Sequence, residues 1–452
     1  MLGKCIMLRC GFYEMDVTPC LGSDIPGYYI RRPSNGVQDK LYVRAMAIEV
    51  DGVCALVMSV DAITLLEETR SKAVEKITAA TGVPNELILC SATHSHTAGY
   101  VKSSRLGTTR DELYMEMIAR KIGDCGILAY QNLVPAKAKY AKSDVYGISF
   151  VRNYRMKDGT IRTNPGFQNP DILEPIGTID PEFPMLFLFD EEDKPMGALT
   201  NFALHHDCVQ GTKYSADYSG VLAKEMKQSY GENFTTVFLN GACGNINHLD
   251  VSRPQSDFYA GDGFCYSGYH IKIGTRLAEE ARKMYESAIP FNIDVVSGRA
   301  ELFPIKKRTA PIELLHEAEE LIRTTPYQAL KDIDSAESVV AKRANAEDIV
   351  TFFGLPEEVP VMIQALRLGD MMLYGTSGEV YVEFGKYTKE NSPTQFNMFA
   401  ELCGGVVSVY IPTPEICASK TAYEGQIPVS ALTEECGQIM SDEMLKLAKE
   451  IM

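Results

Sequence analysis

The sequence predicts an α/β protein in which mixed β-sheets are flanked by helices. Short apolar runs typical of buried strands alternate with longer segments of helical period, and one complete strand, helix, strand unit spans residues 54–90. Several of the strands end in histidine or carboxylate side chains. Because open α/β sheets place their sites at the ends of strands, this pattern also indicates where functional residues lie.

The composition excludes several classes of protein. The 452 residues are 45% hydrophobic and 23% charged, as in an ordinary globular protein, and they carry a net charge of −16. Such an acidic chain lacks the basic face that a nucleic-acid partner needs. No apolar run approaches the roughly 18 residues of a membrane-spanning helix, so no transmembrane segment is expected. A homo-oligomer is left open.

The twelve cysteines favour a reducing compartment. They are scattered and form no C-x-x-C pair, which suits reduced thiols better than a disulfide framework or a thiolate zinc site. The apolar stretch within the first ten residues is too short for a signal peptide. We therefore predict a cytoplasmic protein.

The first part of the chain predicts three strands and two helices. Strands at 41–50 and 54–60 are joined by the turn Asp51-Gly52, and a helix at 65–80 is stopped by Gly82 and Pro84. A strand at 87–90 and an amphipathic helix at 111–133 follow. Asp61, at the end of the second strand, is predicted to cap the next helix, with a ligand or orienting role as the alternative.

His94 and His96 follow the strand at 87–90. In extended backbone, residues two apart point to the same face, so both imidazoles can aim at one point just past the strand end. Neutral imidazole is a strong zinc ligand, so the pair is a candidate metal site, although the spacing alone does not favour metal. A pair of hydrogen-bonded loop histidines is the alternative.

The rest of the chain continues the alternation. A hairpin is predicted around the turn Asp158-Gly159, and a charged helical stretch at about 312–350 carries no chemical motif and is interpreted as an insertion. The further predicted strands are 184–189, 197–204, 235–239, 359–368, 371–374 and one within 396–410. The further predicted helices are 221–230, 269–287 and most of 430–452.

Two more strand ends carry ligand-type residues. His205 and His206 follow the strand at 197–204, and Glu379 stands at a strand-to-helix junction. A zinc site built from two histidines and one glutamate keeps a position open for water and substrate, as hydrolysis requires. The glycine-containing turn at 241–244 could free backbone N–H groups for an oxyanion, although a plain tight turn explains it equally well.

Taken in order, these motifs resemble the catalytic domain of the neutral, non-lysosomal ceramidases and their bacterial relatives. The matching segments are Thr93-His94-Ser95-His96, Asn201-Phe202-Ala203-Leu204-His205, Ser377-Gly378-Glu379 and Tyr423-Glu424-Gly425. The resemblance covers nearly the whole chain and implies one catalytic domain over residues 1–452. It also implies one zinc ion per chain, bound by His94, His205, Glu379 and Tyr423. His96 and Arg152 would line the substrate site.

The chain departs from that family at two places. Gly244-Asn245-Ile246-Asn247 aligns with the family's G-D-V-S segment, so Asn247 stands where the ceramidases have serine. The length also leaves no room for the family's C-terminal β-sandwich. Asparagine can donate a hydrogen bond but is not a plausible nucleophile. We therefore expect a substrate other than long-chain ceramide.

The resulting prediction is a zinc-dependent hydrolase that cleaves an amide or ester bond in a small soluble substrate with metal-activated water. His96 is the expected general acid or base, because imidazole titrates near neutrality. The other predicted catalytic residues are Arg152, Tyr423 and Asn247. The predicted substrate-binding residues are Asn245, Gly244, Asp217 and Arg155.

Two alternatives remain open. The first is a metal-dependent hydrolase or lyase that acts on glycosides or other polar small molecules. The second is a non-catalytic binding protein that kept the fold, although an idle site has no physical need for all four ligands.

Overall fold

The computed structural model describes residues 7–28, 31–99, 101, 111–260, 265–266, 268–326, 339–405 and 409–452. The predicted start without a signal peptide therefore lies partly outside the described residues, as does the middle of the predicted helical insertion. Within the described ranges, strands and helices alternate along most of the chain. The predicted α/β class is confirmed.

The strands vary from two-residue pairs to runs of eleven residues. In chain order they are β1 (Leu8–Asp16), β2 (Gly36–Val37), β3 (Tyr42–Val50), β4 (Val53–Val60), β5 (Ile88–Ala92), β6 (Val134–Asp144), β7 (Phe150–Val151), β8 (Asn153–Met156), β9 (Ile161–Thr163), β10 (Ile172–Pro175), β11 (Glu182–Asp190), β12 (Pro195–Phe202), β13 (Lys213–Tyr214), β14 (Thr235–Asn240), β15 (Ile246–Asn247), β16 (Tyr259–Ala260), β17 (Cys265–Tyr266), β18 (Ile289–Phe291), β19 (Val296–Lys306), β20 (Glu358–Leu368), β21 (Met371–Thr376), β22 (Glu379–Val380), β23 (Phe396–Ala400) and β24 (Tyr410–Ile411).

The helices connect or cover these strands. They are α1 (Glu67–Thr81), α2 (Glu112–Gln131), α3 (Asp217–Tyr230), α4 (Tyr269–Ser287), α5 (Ile312–Thr324), α6 (Val339–Gly354), α7 (Val382–Glu390), α8 (Pro414–Cys417) and α9 (Cys436–Glu450). Among the described residues, no helix combines the length and the apolar character needed to cross a membrane.

The larger sheet has nine strands in the order β14-β12-β11-β6-β1-β3-β4-β5, with β18 paired to β6. It is mixed, because β4 with β5 and β12 with β14 are parallel pairs while its other pairs are antiparallel. Parallel neighbours need a crossover, and α1 and α3 supply the two crossovers. The sheet folds back on itself, since β14 at one end contacts β3, β4 and β5 at the other.

A second sheet of four strands, β19-β20-β21-β23, lies against the first. Asn201 joins the two sheets, because its side-chain amide donates to the carbonyl oxygens of Leu239 and Phe399 at 2.8 Å each. Beyond β21 the short strands β22 and β24 pair in parallel and align Glu379 with Tyr410. This arrangement brings the ends of β5, β12 and β21 to one place.

Helices cover the outer faces of both sheets. α1 and α2 pack on β1, β3 and β4, α3 and α4 pack near β6, β11 and β14, and α7 and α9 pack on the four-stranded sheet. The predicted insertion forms α5 and α6, which share a small apolar cluster containing Ala318, Ala346 and Ile349. Its status as an insertion relative to other proteins stays a prediction.

Several predicted boundaries and positions need correction. The helix predicted at 221–230 begins four residues earlier, at Asp217, which has a positive φ of 58°. The strand predicted within 396–410 ends at Ala400, because Leu402 and the two following glycines have positive φ. Asp61 does not cap α1, whose N-cap is Leu66.

Candidate metal centre

His94 is fixed by the backbone just beyond β5. It has a positive φ of 72°, a conformation that L-residues rarely adopt, and its N–H donates to the carbonyl of Ala62 at 2.9 Å. Its Nδ1 lies 2.7 Å from the carbonyl oxygen of Ile63. Because a carbonyl can only accept, Nδ1 carries the proton and Nε2 of a neutral ring presents a lone pair.

His205 follows β12 and is held in the same way. Its Nδ1 lies 3.2 Å from the carbonyl oxygen of Cys243, and its Nε2 lies 3.0 Å from Nε2 of His94. Burial, together with the neighbouring His94 charge, holds the pKa of His205 well below its usual range. A neutral ring is the form in which imidazole binds a metal.

When both rings are neutral, the two Nε2 atoms face each other with lone pairs and no proton between them. Such an arrangement is unfavourable unless a cation lies between the two nitrogens. Donation of the other ring N–H to a carbonyl is the usual second interaction of a metal-binding histidine. The donor set fits a divalent metal ion.

Glu379 adds a carboxylate to this pair. Its Oε2 lies 3.3 Å from Nε2 of His94 and 3.6 Å from Nε2 of His205. Burial opposes a charge on His94, but the Glu379 carboxylate outweighs burial and raises the pKa of His94. Gly244 makes this approach sterically feasible, because a Cβ there would lie 2.4 Å from the backbone oxygen of Glu379.

His96 also points at the cluster. Its Nε2 lies 3.2 Å from Nε2 of His94, and donor atoms of His94, His96 and His205 lie within 4.8 Å of one another. On its other side, Nδ1 of His96 lies 3.7 Å from Oδ1 of Asp207. Both histidines of the pair therefore aim at one point, as predicted, although the backbone at His94 is left-handed and not extended as the prediction assumed.

Tyr410 is the phenol that contacts Glu379. The two residues align in the β22–β24 pair, and their side chains are hydrogen-bonded. Tyr423, the predicted ligand, is half-buried in a short 3₁₀-helix, and its ring centroid lies 5.8 Å from that of Tyr410. Tyr423 as a metal ligand stays a prediction.

Arg152 lies beside Tyr410. Its Nε is 2.7 Å from the buried carboxylate of Glu424, and its guanidinium carbon is 5.0 Å from the Tyr410 ring centroid. A buried guanidinium keeps its charge here because a buried carboxylate compensates it. Arg152 thus presents a fixed positive group next to the histidine cluster.

A cavity of about 200 Å³ opens on this cluster. Most of its lining is polar, and two charged side chains of opposite sign, Arg152 and Asp207, contribute to it. His205 reaches the same cavity. The lining is completed by Asn164, Gly166, Phe167, Asn247, His248, Leu249 and Val251. A larger cavity of about 720 Å³ with mainly apolar lining shares Val251 with this one.

Three of the four backbone N–H groups in the turn at 241–244 face partners within the protein. The N–H of Gly241 donates to the carbonyl of Phe202 at 2.9 Å, and the N–H of Gly244 donates to the carbonyl of Val380 at 2.8 Å. The N–H of Cys243 faces a carboxylate oxygen of Glu401 at 3.3 Å. The alternative interpretation, a tight structural turn, describes this segment.

Two predicted asparagines have different environments. Asn245 is occupied within the protein, since its amide donates to Glu383 at 3.0 Å and its Oδ1 accepts from the N–H of Val382 at 2.9 Å. Asn247 lines the small cavity, although its amide donates to Asn164 at 2.6 Å. Of the two, Asn247 is the one that can meet a substrate.

Asp217 and Arg155 lie in structural contacts away from the cavity lining. The carboxylate of Asp217 accepts from the backbone N–H groups of Cys208 at 2.8 Å and Val209 at 3.1 Å, and burial raises its pKa to about 7. Arg155 pairs with Glu174 at 3.2 Å and with Glu415. Their predicted substrate-binding roles find no geometric support here.

Three residues of the site were missed by the sequence reasoning. Asp207 follows His205 and His206 directly, so its position after a strand end was a usable signal. Tyr410 and Glu401 carry no local motif, because each reaches the site through tertiary pairing. Glu401 accepts from the N–H of Val380 at 2.9 Å, and burial raises its pKa to about 8.

Comparison with solved structures identifies the fold. The crystal structure of neutral ceramidase from Pseudomonas aeruginosa superposes with a TM-score of 0.73, covering 98% of this chain and 74% of that chain at 17% identity. The chain has the neutral ceramidase fold. A ceramidase solved in complex with C2 gives the same result, with a TM-score of 0.72, 98% and 75% coverage, and 17% identity. No protein-family model and no curated protein matches the chain.

The neutral ceramidase fold was the predicted one, so the resemblance drawn from four short motifs is confirmed at the level of the fold. The superposition extends over nearly the whole chain, as the motifs implied. At 17% identity the shared fold does not carry activity or substrate with it.

Proposed function

We propose that this chain is a zinc-dependent hydrolase of the neutral ceramidase-like family that cleaves an amide or ester bond in a small, water-soluble substrate. The observation that carries the proposal is the convergence of two Nε2 lone pairs, from His94 and His205, with the Glu379 carboxylate beside a small polar cavity. A bound divalent ion would supply Lewis acidity, which polarises a carbonyl group and lowers the pKa of water.

Zinc suits this donor set, because two imidazoles and one carboxylate leave a position open for substrate. Ligands without a thiolate also bind manganese or iron, so the position of the ion is better supported than its identity. The predicted fourth ligand is a phenol. Tyr423 comes from the motif, and Tyr410 contacts Glu379 in the structure.

His96 is proposed as the general acid or base. Its ring lies at the edge of the cluster with Nε2 directed at His94, and its neighbour Asp207 lines the adjacent cavity. Arg152 lines that cavity and could donate to a carbonyl oxygen as negative charge develops on it. Its ion pair with Glu424 fixes the guanidinium before substrate arrives.

The cavity favours a small substrate. Pockets for drug-sized ligands have volumes of about 300–1,000 Å³, and this cavity has about 200 Å³. Asn247 on its wall is no nucleophile, so cleavage would rely on water. A cytoplasmic location, which the free thiols among the described cysteines suit, stays a prediction.

The test is a side-by-side assay of the zinc-loaded protein. The substrates are a panel of soluble acyl-amides and esters, a panel of glycosides, and a detergent-dispersed fluorescent ceramide. We expect turnover of an amide or ester and little or no cleavage of ceramide. Ceramide turnover at about 1 s⁻¹ or faster with an inactive panel would contradict the proposed substrate class. Cleavage of glycosides alone would favour the second predicted function.

A further inference from the structure

A carboxylate faces the ring nitrogen of His96 that points away from the metal cluster. We infer that Asp207, held by Tyr28, is a positioning residue that fixes the tautomer and orientation of His96. This inference rests on the proposed function, since it assigns a partner to the proposed general acid or base. The residues concerned come from two distant segments, one around 24–32 and one just after β12.

The contacts place Asp207 between Tyr28 and His96. Oδ1 of Asp207 accepts a hydrogen bond from the Tyr28 hydroxyl and lies 3.7 Å from Nδ1 of His96. About a quarter of the Asp207 side chain is accessible, and it contributes to the small cavity. The carboxylate is therefore near enough to act on the ring and is anchored on its other side.

Nε2 of all three histidines points into the cluster, but the group that faces Nδ1 differs. Nδ1 of His94 and Nδ1 of His205 each face a backbone carbonyl, which places a proton on Nδ1 and leaves Nε2 of the neutral ring as an acceptor. Nδ1 of His96 faces a carboxylate instead. A carbonyl suits a ring that binds metal, whereas a carboxylate also stabilises the imidazolium that forms when a ring takes up a proton.

The segment around Tyr28 is built closely against His96. The side chain of Arg32 donates to the carbonyl of His96 at 2.7 Å and to that of Pro26, and its guanidinium carbon lies 4.3 Å from the Tyr28 ring centroid. Gly27 has a φ of 103°, and a Cβ there would lie 2.6 Å from Nδ1 of His96. The absence of that Cβ leaves room for the ring beside Asp207.

This arrangement defines what Asp207 does. When Nδ1 carries the proton, the Nε2 lone pair of His96 points toward the cluster and can accept a proton from a reacting group. A third group that orients a catalytic base is a recurring requirement of acid–base catalysis. Without the carboxylate, the ring can take the other tautomer or rotate, and fewer molecules are competent at any moment.

The test compares Asp207→Asn and Tyr28→Phe with exposed controls, Asp193→Asn and Tyr146→Phe, all zinc-loaded. We expect Asp207→Asn to lower kcat by about 10–100-fold with KM within about twofold and the zinc content unchanged. Tyr28→Phe should show a smaller loss of the same kind. Both control variants should match the wild type.

A second readout does not depend on activity. In protein with ¹⁵N-labelled histidine, the ring nitrogens of His96, assigned with His96→Gln, should report the Nδ1–H tautomer in the wild type. In Asp207→Asn these resonances should move toward a tautomer mixture, while those of His94 and His205 stay in place. Unchanged His96 resonances, or a kcat equal to that of the wild type, would overturn the inference. If the wild type cleaves none of the substrates, the proposed function fails, and the tautomer measurement still tests Asp207.

Discussion

The histidine cluster and the turn at 241–247 both carry motif residues, yet they use their polar groups in opposite ways. In the turn, hydrogen bonds within the protein occupy the N–H groups of Gly241 and Gly244 and the side-chain amide of Asn245. In the cluster, protein contacts fix the Nδ1 side of His94 and His205 and leave the Nε2 side facing another lone pair.

This difference gives a criterion that distinguishes the polar groups of a functional site from those that only stabilise the fold. Polar atoms whose partners all lie inside the fold stabilise that fold. Two lone pairs that the fold holds facing each other repel, so the atoms that carry them need a ligand between them. By this criterion the cluster is the functional element and the turn is part of the frame, with Asn247 on the cavity wall at the boundary between them.

The largest expected effect comes from removing a ligand of the cluster. His94→Ala or His205→Ala should abolish stoichiometric metal and lower turnover by at least about 10³-fold, because several kcal/mol of transition-state stabilisation depends on the ion. Elemental analysis and kinetics measure the two losses. His316→Ala, an exposed histidine on α5, is the matched control and should keep both. Retention of metal by both cluster variants would place the ion elsewhere.

His96→Ala tests whether His96 binds the metal or acts as the general acid or base. It should keep the metal and lose about 10²–10⁴-fold in turnover, the usual contribution of a general acid or base. The comparison uses metal content and kcat measured on the same preparation. Loss of the metal in this variant would make His96 a ligand and would correct its proposed role.

The contributions of Tyr410 and Tyr423 to metal affinity can be compared by substitution. Because the Tyr410 hydroxyl contacts Glu379, Tyr410→Phe should weaken metal binding by about 10–100-fold whether the phenol binds the ion or only holds the carboxylate. Tyr423→Phe is the paired variant, and competition with a chelator measures both affinities. A larger loss of metal affinity in Tyr423→Phe than in Tyr410→Phe would support Tyr423, the ligand that the family resemblance implies.

We expect the smallest effect on catalysis from substitutions of Asp217 and Arg155, which make structural contacts away from the cavity. Asp217→Asn should lower the free energy of unfolding by about 1–3 kcal/mol, because one amide oxygen cannot accept all the backbone N–H groups that the carboxylate holds. KM should stay within twofold. Arg155→Ala, which removes ion pairs at the protein surface, should change stability by less than about 1 kcal/mol. A raised KM in either variant would return that residue to the substrate site.

Local signals predicted much of this molecule and long-range pairing accounts for what they missed. The strand ends at His94, His205 and Glu379 were visible as apolar runs closed by ligand-type side chains, since that pattern depends on neighbours in sequence. Tyr410 reaches Glu379 through the register of a two-residue strand pair, which no local pattern encodes. Asp217 was predicted to bind substrate, but its carboxylate accepts hydrogen bonds from the backbone of the loop that follows β12, a contact that no local pattern encodes.

The most direct test of the central claim is anomalous diffraction at the zinc edge from crystals of zinc-loaded protein. We predict one strong peak per chain about 2.0–2.2 Å from Nε2 of His94, Nε2 of His205 and a carboxylate oxygen of Glu379. A peak at another place, or none in crystals whose protein binds zinc in solution, would contradict the assignment of this cluster as the metal centre.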